Sequence, residues 1–161
     1  MNLLLRLIWL LISSPRRDRI GLLDDCELSL RVLPTDLDIN MHLTNARYLS
    51  VMDLGRLELI LRIGMFKQLM QRRWLPVVAC AKLKFYRQIS PFSRYTLITR
   101  VIGWDEKWFY IEQRFEVNQE PVALGIIKGL FRGGKRNIPT NEILRLIDYQ
   151  GVSPELPTGL D

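Results

Sequence analysis

Between residues 46 and about 70 the chain carries Leu49, Met52, Leu57, Ile60, Leu61 and Ile63 at helical spacing, filling too broad a sector for a helix that rests on a surface. One helix this apolar, in a chain of 161 residues with room for a single sizeable core, needs cover on most of its sides. The flanking segments indicate what supplies it. Residues 26–32 alternate apolar and polar side chains as a half-buried strand does, and Pro34 ends them. After the helix, residues 77–89 put Ala79, Ala81, Leu83 and Phe85 on one face, and strand-like runs follow at 95–102, 108–117 and 122–131. Ser90-Pro91, Asn118 to Pro121 and Gly133-Gly134 break or end these runs. Strand, long helix, then four strands on mostly short connections predicts an α+β fold: an antiparallel five-stranded sheet wrapped around one long helix. Thr140 or Asn141 is placed to cap a short last helix through Ile147. The expected organisation is an amphipathic segment and connector at 1–20, one domain at 21–150 and a polar tail at 151–161.

The loop from Asp36 to Tyr48 gathers two carboxylates, the only histidine and an amide immediately before the helix. A helix N-terminus stabilises negative charge, so a carboxylate there can act beside a polarised carbonyl. Ordinary turn and N-cap chemistry also uses these residue types, with Thr44 or Asn45 as the cap. The order of residues adds information. Asp-x-Asp, a histidine four positions after the second Asp, an asparagine three later and a tyrosine three beyond resembles the signature of the 4-hydroxybenzoyl-CoA thioesterase branch of the hotdog-fold superfamily, usually D-x-D-x-x-G-H-V-N-N-x-x-Y. Asp36, Asp38, His42, Asn45 and Tyr48 fall in register, with Met41 in place of glycine and Thr44 in place of the first asparagine. Residues 85–92 and 103–109 look like the thioesterase-superfamily-member-6-like subgroup, so the resemblance spans roughly 24–133.

The resemblance implies the hotdog fold, a homodimer or homotetramer, and hydrolysis of a fatty or aromatic acyl-CoA. It makes Asp38 the nucleophile or general base. His42 is expected to orient Asp38 or the thioester, Asn45 to cap the helix and aim its first amides at the carbonyl, and Tyr48 to pack in the core while its hydroxyl reaches the pocket. Asp36 is expected to support the loop. Met41 restricts the positive φ that glycine would permit, which unsettles the loop path and the oxyanion donor. A non-catalytic acyl-CoA-binding or scaffold protein is the alternative, and a dehydratase with His42 as base is a third reading.

A formal charge of +6 favours an anionic partner. Nucleic acid, an anionic membrane or a phosphate-bearing small molecule would each fit, and charge does not choose among them. The basic residues are dispersed with no nucleic-acid-binding signature, and the resemblance implies coenzyme A, with Lys82, Lys84, Arg87 and Arg132 as candidates for its phosphates. No metal site and no cofactor beyond the substrate's coenzyme A is expected. Cys26 and Cys80, in apolar runs without paired spacing, read as buried free thiols. Trp104, Trp108, Phe109 and Tyr110 read as core or interface packing before an acyl channel. Residues 1–12 are apolar apart from Asn2 and Arg6, too few to span a bilayer, and Pro15 and the charges follow them where a secretory signal would have basic residues first. Leu4, Leu7, Ile8 and Leu11 share one helical face; Asn2, Arg6 and Ser13 share another. A helix docked on its own domain is the first expectation and a lipid surface the second, giving a cytoplasmic protein with peripheral contact at the inner membrane face.

Overall fold

The computed structural model describes residues 2–160, with side chains from Leu3 onward. Its elements run α1 (Asn2–Ser13), β1 (Cys26–Arg31), α2 (Asn45–Arg62), α3 (Phe66–Arg72), β2 (Trp74–Phe85), β3 (Arg94–Trp104), β4 (Phe109–Val117), β5 (Glu120–Gly133), β6 (Arg136–Ile138) and α4 (Thr140–Arg145). The strands form one antiparallel sheet in the order β1-β3-β4-β5-β2, with β6 added on β5. That is the expected curled sheet around a helix, with one strand more. Three residues after a Gly-Gly pair carry too little periodicity to be read as a strand.

Helix and sheet are in direct contact. A Cβ at Gly55 of α2 would lie 2.5 Å from the Leu97 side chain, and one at Gly125 of β5 would lie 2.5 Å from Met52. Tyr48, Val51, Met52, Leu54, Leu59 and Ile60 of α2 are buried against the strands, so the helix is the centre of the core. The expected helix to residue 70 is split: α2 stops at Ile63, Gly64 turns left-handed with φ 83°, and α3 begins at Phe66. Glycine is the residue that reverses a helix at little steric cost, and the apolar spacing resumes so soon that periodicity hides the break. At α4, Thr140 does not cap; its hydroxyl donates to the Asp105 carbonyl, and the helix starts after Pro139 without a side-chain cap.

Two expectations about faces are corrected. On β2, Ala81, Leu83 and Phe85 do pair with Ile127, Gly125 and Ala123 and so share the inner face, but the strand is the bare edge of the sheet and exposed along nearly its whole length. Cys80 is therefore exposed while Cys26 is buried. On α1, Arg6 faces the domain, not solvent. Its guanidinium reaches the buried Asp36 and the Arg31 carbonyl, while Leu3, Leu7 and Leu10 pack with Leu28 and Leu54. A buried carboxylate attracts the cation more strongly than water does, and that decides which side of the helix docks.

Candidate active site

The loop leading into α2 is built on Asp36. This carboxylate is fully buried and takes Arg6 Nη2 at 2.6 Å, Arg47 Nε at 3.1 Å and the Leu33 amide at 2.9 Å. Its backbone carbonyl accepts from the Thr44 amide at 3.1 Å, closing the loop onto the helix start. Asp36 thus supports the loop, as expected.

Asp38 is exposed at the loop's outer turn. Its Oδ1 accepts from the amides of Asn40 (2.8 Å) and His42 (3.1 Å), and its own amide donates to the His42 carbonyl at 2.9 Å. These contacts fix the side chain in an Asx-type turn. Oδ2 has no partner among the described residues, so one carboxylate oxygen is held at the surface by the clamp on the other. His42 orients Asp38 through its backbone, not its ring. The half-buried imidazole leaves Nδ1 with no hydrogen-bond partner among the described residues.

Met41 lies between them with φ 59°, the left-handed conformation that glycine would adopt. The substitution therefore leaves the loop path in place, at a backbone cost of about 1–2 kcal/mol. Its amide still closes on the Asp38 carbonyl at 3.1 Å.

At the helix start the cap is Thr44, whose Oγ1 accepts from the Ala46 amide at 3.2 Å; Asn45 is the first helical residue and its side chain is exposed. The amides of His42, Leu43, Thr44, Ala46, Arg47 and Tyr48 all have acceptors. Only that of Asn45 has none among the described residues of this run. The N-terminal end of α2 thus offers one backbone donor, fewer than capping alone suggests.

Tyr48 is buried one turn into α2, its ring edge-on to Phe85 at 5.0 Å and to Phe115 at 4.9 Å. Burial pushes its hydroxyl up to about 12, so at neutral pH it keeps its proton and can only donate it to a hydrogen bond. The Phe85 contact also brings the inner face of β2 to the helix start. Leu43 donates to the Ile89 carbonyl at 3.4 Å, so the segment after β2 lies beside the signature loop.

The four cationic candidates do not converge within one chain. Lys82 and Lys84 pair with Ile126 and Leu124, out of phase with Gly125, which faces α2, so both lie on the outer face of the sheet. Arg87 is in the segment beside the loop, paired with Glu120 at 3.1 Å. Arg132 is nine residues along β5 from the Phe85 partner Ala123, about 30 Å away. Trp104 and Phe109 are core residues, with Trp104 edge-on to Tyr149, whereas Trp108 carries Lys107 and Lys128 over its ring. No group of three or more His, Cys, Asp or Glu among the described residues is placed to hold a metal ion.

A concavity of about 710 Å³ lies by β1 and β3, and none of the signature residues lines it. Around Asp38 and Phe85 a single chain is open.

Sequence reasoning missed the ion pair between Arg17, on the connector after α1, and Glu58, which is fully buried in the middle of α2. It also missed Arg56, which pairs with Asp53 and donates to Gln113 at 2.7 Å; Gln113 in turn bonds Thr99 and the Met52 carbonyl beneath the helix. A glutamate at an apolar helical position was the only available signal for the first.

Residues 32–158 match the thioesterase-like superfamily. Protein THEM6 of Danio rerio is 31% identical over 147 residues, covering 89% of this chain and 71% of its own length. A probable thioesterase of Saccharomyces cerevisiae is 28% identical over 149 residues, covering 89% of this chain and 63% of its own length. The chain thus spans somewhat under two thirds of the yeast relative and somewhat over two thirds of the fish one. A thioesterase of Thermus thermophilus, solved with coenzyme A and Zn, superposes with a TM-score of 0.66 at 26% identity, over 76% of this chain and 97% of that one.

Proposed function

The chain belongs to the thioesterase-like superfamily and has its hotdog fold, and on that basis we propose that it hydrolyses acyl-CoA thioesters of fatty or aromatic acids to the free acid and coenzyme A. The observation that carries the reading is Asp38. One of its carboxylate oxygens is clamped by two loop amides; the other is unpartnered among the described residues, on the turn that leads through His42 to the unspent Asn45 amide.

Two routes use this arrangement. As general base, Asp38 takes a proton from water while the water oxygen attacks the thioester carbonyl; as nucleophile, its own oxygen attacks, and water then cleaves the resulting anhydride. In either route negative charge grows on the carbonyl oxygen, where the Asn45 amide and the helix N-terminus stabilise it, and the carbon–sulfur bond breaks to release the coenzyme A thiolate. Phe85 and the exposed Met41 supply apolar surface for the acyl group, with Tyr48 packed behind Phe85. Arg87 is the cation beside the loop for a coenzyme A phosphate.

The functional unit is a homodimer formed through β2. Twelve residues of bare sheet edge, with Leu75, Val77, Val78 and Phe85 exposed, are what a second strand covers. In antiparallel β2 pairing, the Trp74 end of one strand lies beside the Phe85 end of the other. That brings Arg132 of the partner subunit toward this chain's site and closes the open side around Asp38.

The test is thiol release from short, long and aromatic acyl-CoAs by the wild type and Asp38→Asn. Asparagine keeps the Oδ1 acceptor of the turn and removes the charge, so the expected result is a rate lower by about 10²–10⁴-fold with an unchanged melting temperature. Full thiol release by Asp38→Asn would refute the mechanism, and labelled acyl-CoA retained without turnover by the wild type would make the protein a binder.

A further inference from the structure

The outward side of α1 is apolar. Leu4, Leu5, Ile8, Trp9, Leu11 and Ile12 are all exposed, with Leu5 at 62% and Ile12 at 67%. The one cation within this stretch, Arg6, is turned inward onto Asp36, so no charge from residues 3–12 interrupts the outward face. Water favours the opposite arrangement for a surface helix, apolar side in and polar side out. Nor is α1 loosely attached: Leu3, Leu7 and Leu10 pack on Leu28 and Leu54, and the Arg6 ion pair fixes its rotation.

We infer that this face seats the protein on an anionic lipid bilayer, with α1 lying in the plane of the membrane surface. Charge next to the face identifies the occupant. The chain continues from α1 directly into Arg16, Arg17 and Arg19, and a concavity of about 320 Å³ at that end is lined by Arg17, Arg19, Arg62 and Lys67. Its acidic neighbours include Glu58, which Arg17 neutralises, and the exposed Asp18 and Glu27, which share an adjoining concavity with Arg16, Arg17 and Arg62, so cations outnumber carboxylates along this rim. The Arg17 guanidinium also lies over the Trp9 ring, 4.7 Å from its centroid, where the apolar face meets the basic rim. An apolar helical face bordered by cations and a tryptophan matches the boundary between acyl chains and anionic headgroups. Leu3, Leu7 and Leu10 hold α1 lengthwise on the domain, so it meets the bilayer with its outward side and lies along the membrane surface. A second copy of the chain is not the occupant in this reading: α1 packs on β1, and β1 and the bare β2 are opposite edges of the sheet.

The inference is independent of the thioesterase reading, and its test needs no turnover. The full chain is sedimented with vesicles of phosphatidylcholine alone and of phosphatidylcholine with phosphatidylglycerol at three to one. Binding to the anionic vesicles is expected to be about tenfold tighter and to weaken in high salt. Leu5→Ser with Ile12→Ser, both at outward positions, is expected to lower that binding by about tenfold or more with an unchanged melting temperature. Arg16→Glu with Arg19→Glu is expected to remove the preference for anionic vesicles. Wild type that stays in the supernatant with anionic vesicles, or a double-serine variant that sediments as well as wild type, would overturn the inference. So would a lipid-free oligomer that dissociates in the double-serine variant, which would put a second copy on α1.

Discussion

Arg17→Met isolates the Glu58 carboxylate. Glu58 is fully buried in α2; one of its oxygens takes the Arg17 guanidinium and the other, Oε2, has no hydrogen-bond partner among the described residues. Methionine keeps most of the apolar stem and removes the only described counter-charge paired with Glu58. Removing one partner of a buried pair costs about 3–5 kcal/mol, and because the Arg17 side chain is 21% exposed, so that water reaches that side, the lower end, about 3 kcal/mol, applies. For a chain of this size that is a fall in melting temperature of about 6–12 °C. Adding Glu58→Gln removes the stranded charge and is expected to recover about 2 kcal/mol, since neutral replacement of a buried pair is often close to neutral. The assay is urea denaturation of wild type, both single variants and the double, comparing midpoints at a common slope. A loss below about 1 kcal/mol for Arg17→Met, or a double variant less stable than Arg17→Met, would refute the reasoning.

Met41→Gly relieves the left-handed backbone at φ 59° but frees the unfolded chain, so a net gain of about 0.5–1 kcal/mol is expected as a higher urea midpoint, with Asp38-dependent activity retained. Cys26 is held protonated: burial, and then the Glu58 charge, push its thiol up to about 11 from 9.0. The folded state therefore binds this proton more tightly than the unfolded one; stability is unaffected below about pH 9 and falls by up to about 3 kcal/mol between pH 9 and 11, a loss that Cys26→Ala should lack in denaturation series across that range. In native protein at pH 8 a thiol reagent should label Cys80 in a monomeric preparation and spare Cys26, with both labelled in denaturant.

Period and punctuation made the core legible. The alternation at 26–32 and the helix from residue 46 depend on local geometry alone, and both are present in the structure, though of the six apolar helix positions Met52 and Ile60 are buried, Leu57, Leu61 and Ile63 half-buried and Leu49 exposed. The signature residues likewise fall on one loop and helix start, because the chain is nearly continuous there. What local pattern cannot report is which charged group is buried. Asp36 draws Arg6 from 30 positions away, which inverts the docking of α1; Glu58 draws Arg17 across 41. The β2 face was read in the correct phase, yet its exposure depends on whether a neighbour covers that edge, which alternation does not encode. Lys82, Lys84 and Arg132 shared a sign of charge with Arg87, and only register separated them in space.

Asp36 joins α1 to the loop that carries Asp38, and this sets how the two regions open. When α1 lifts off, Arg6 leaves with it and the loop keeps Arg47 and the Leu33 amide as the described partners of a newly hydrated carboxylate. Lifting α1 uncovers Leu28 and Leu54 as well as its own Leu3, Leu7 and Leu10 and breaks a buried ion pair, so the opening is costly, though smaller than global unfolding. The amides of Asn40 and His42, which hold Asp38, should then exchange with solvent hydrogen on the same clock as the inner amides of α1, far ahead of those in β4. Events at the first helix and the stiffness of the Asp38 turn are in that sense one degree of freedom, shared through a single buried carboxylate.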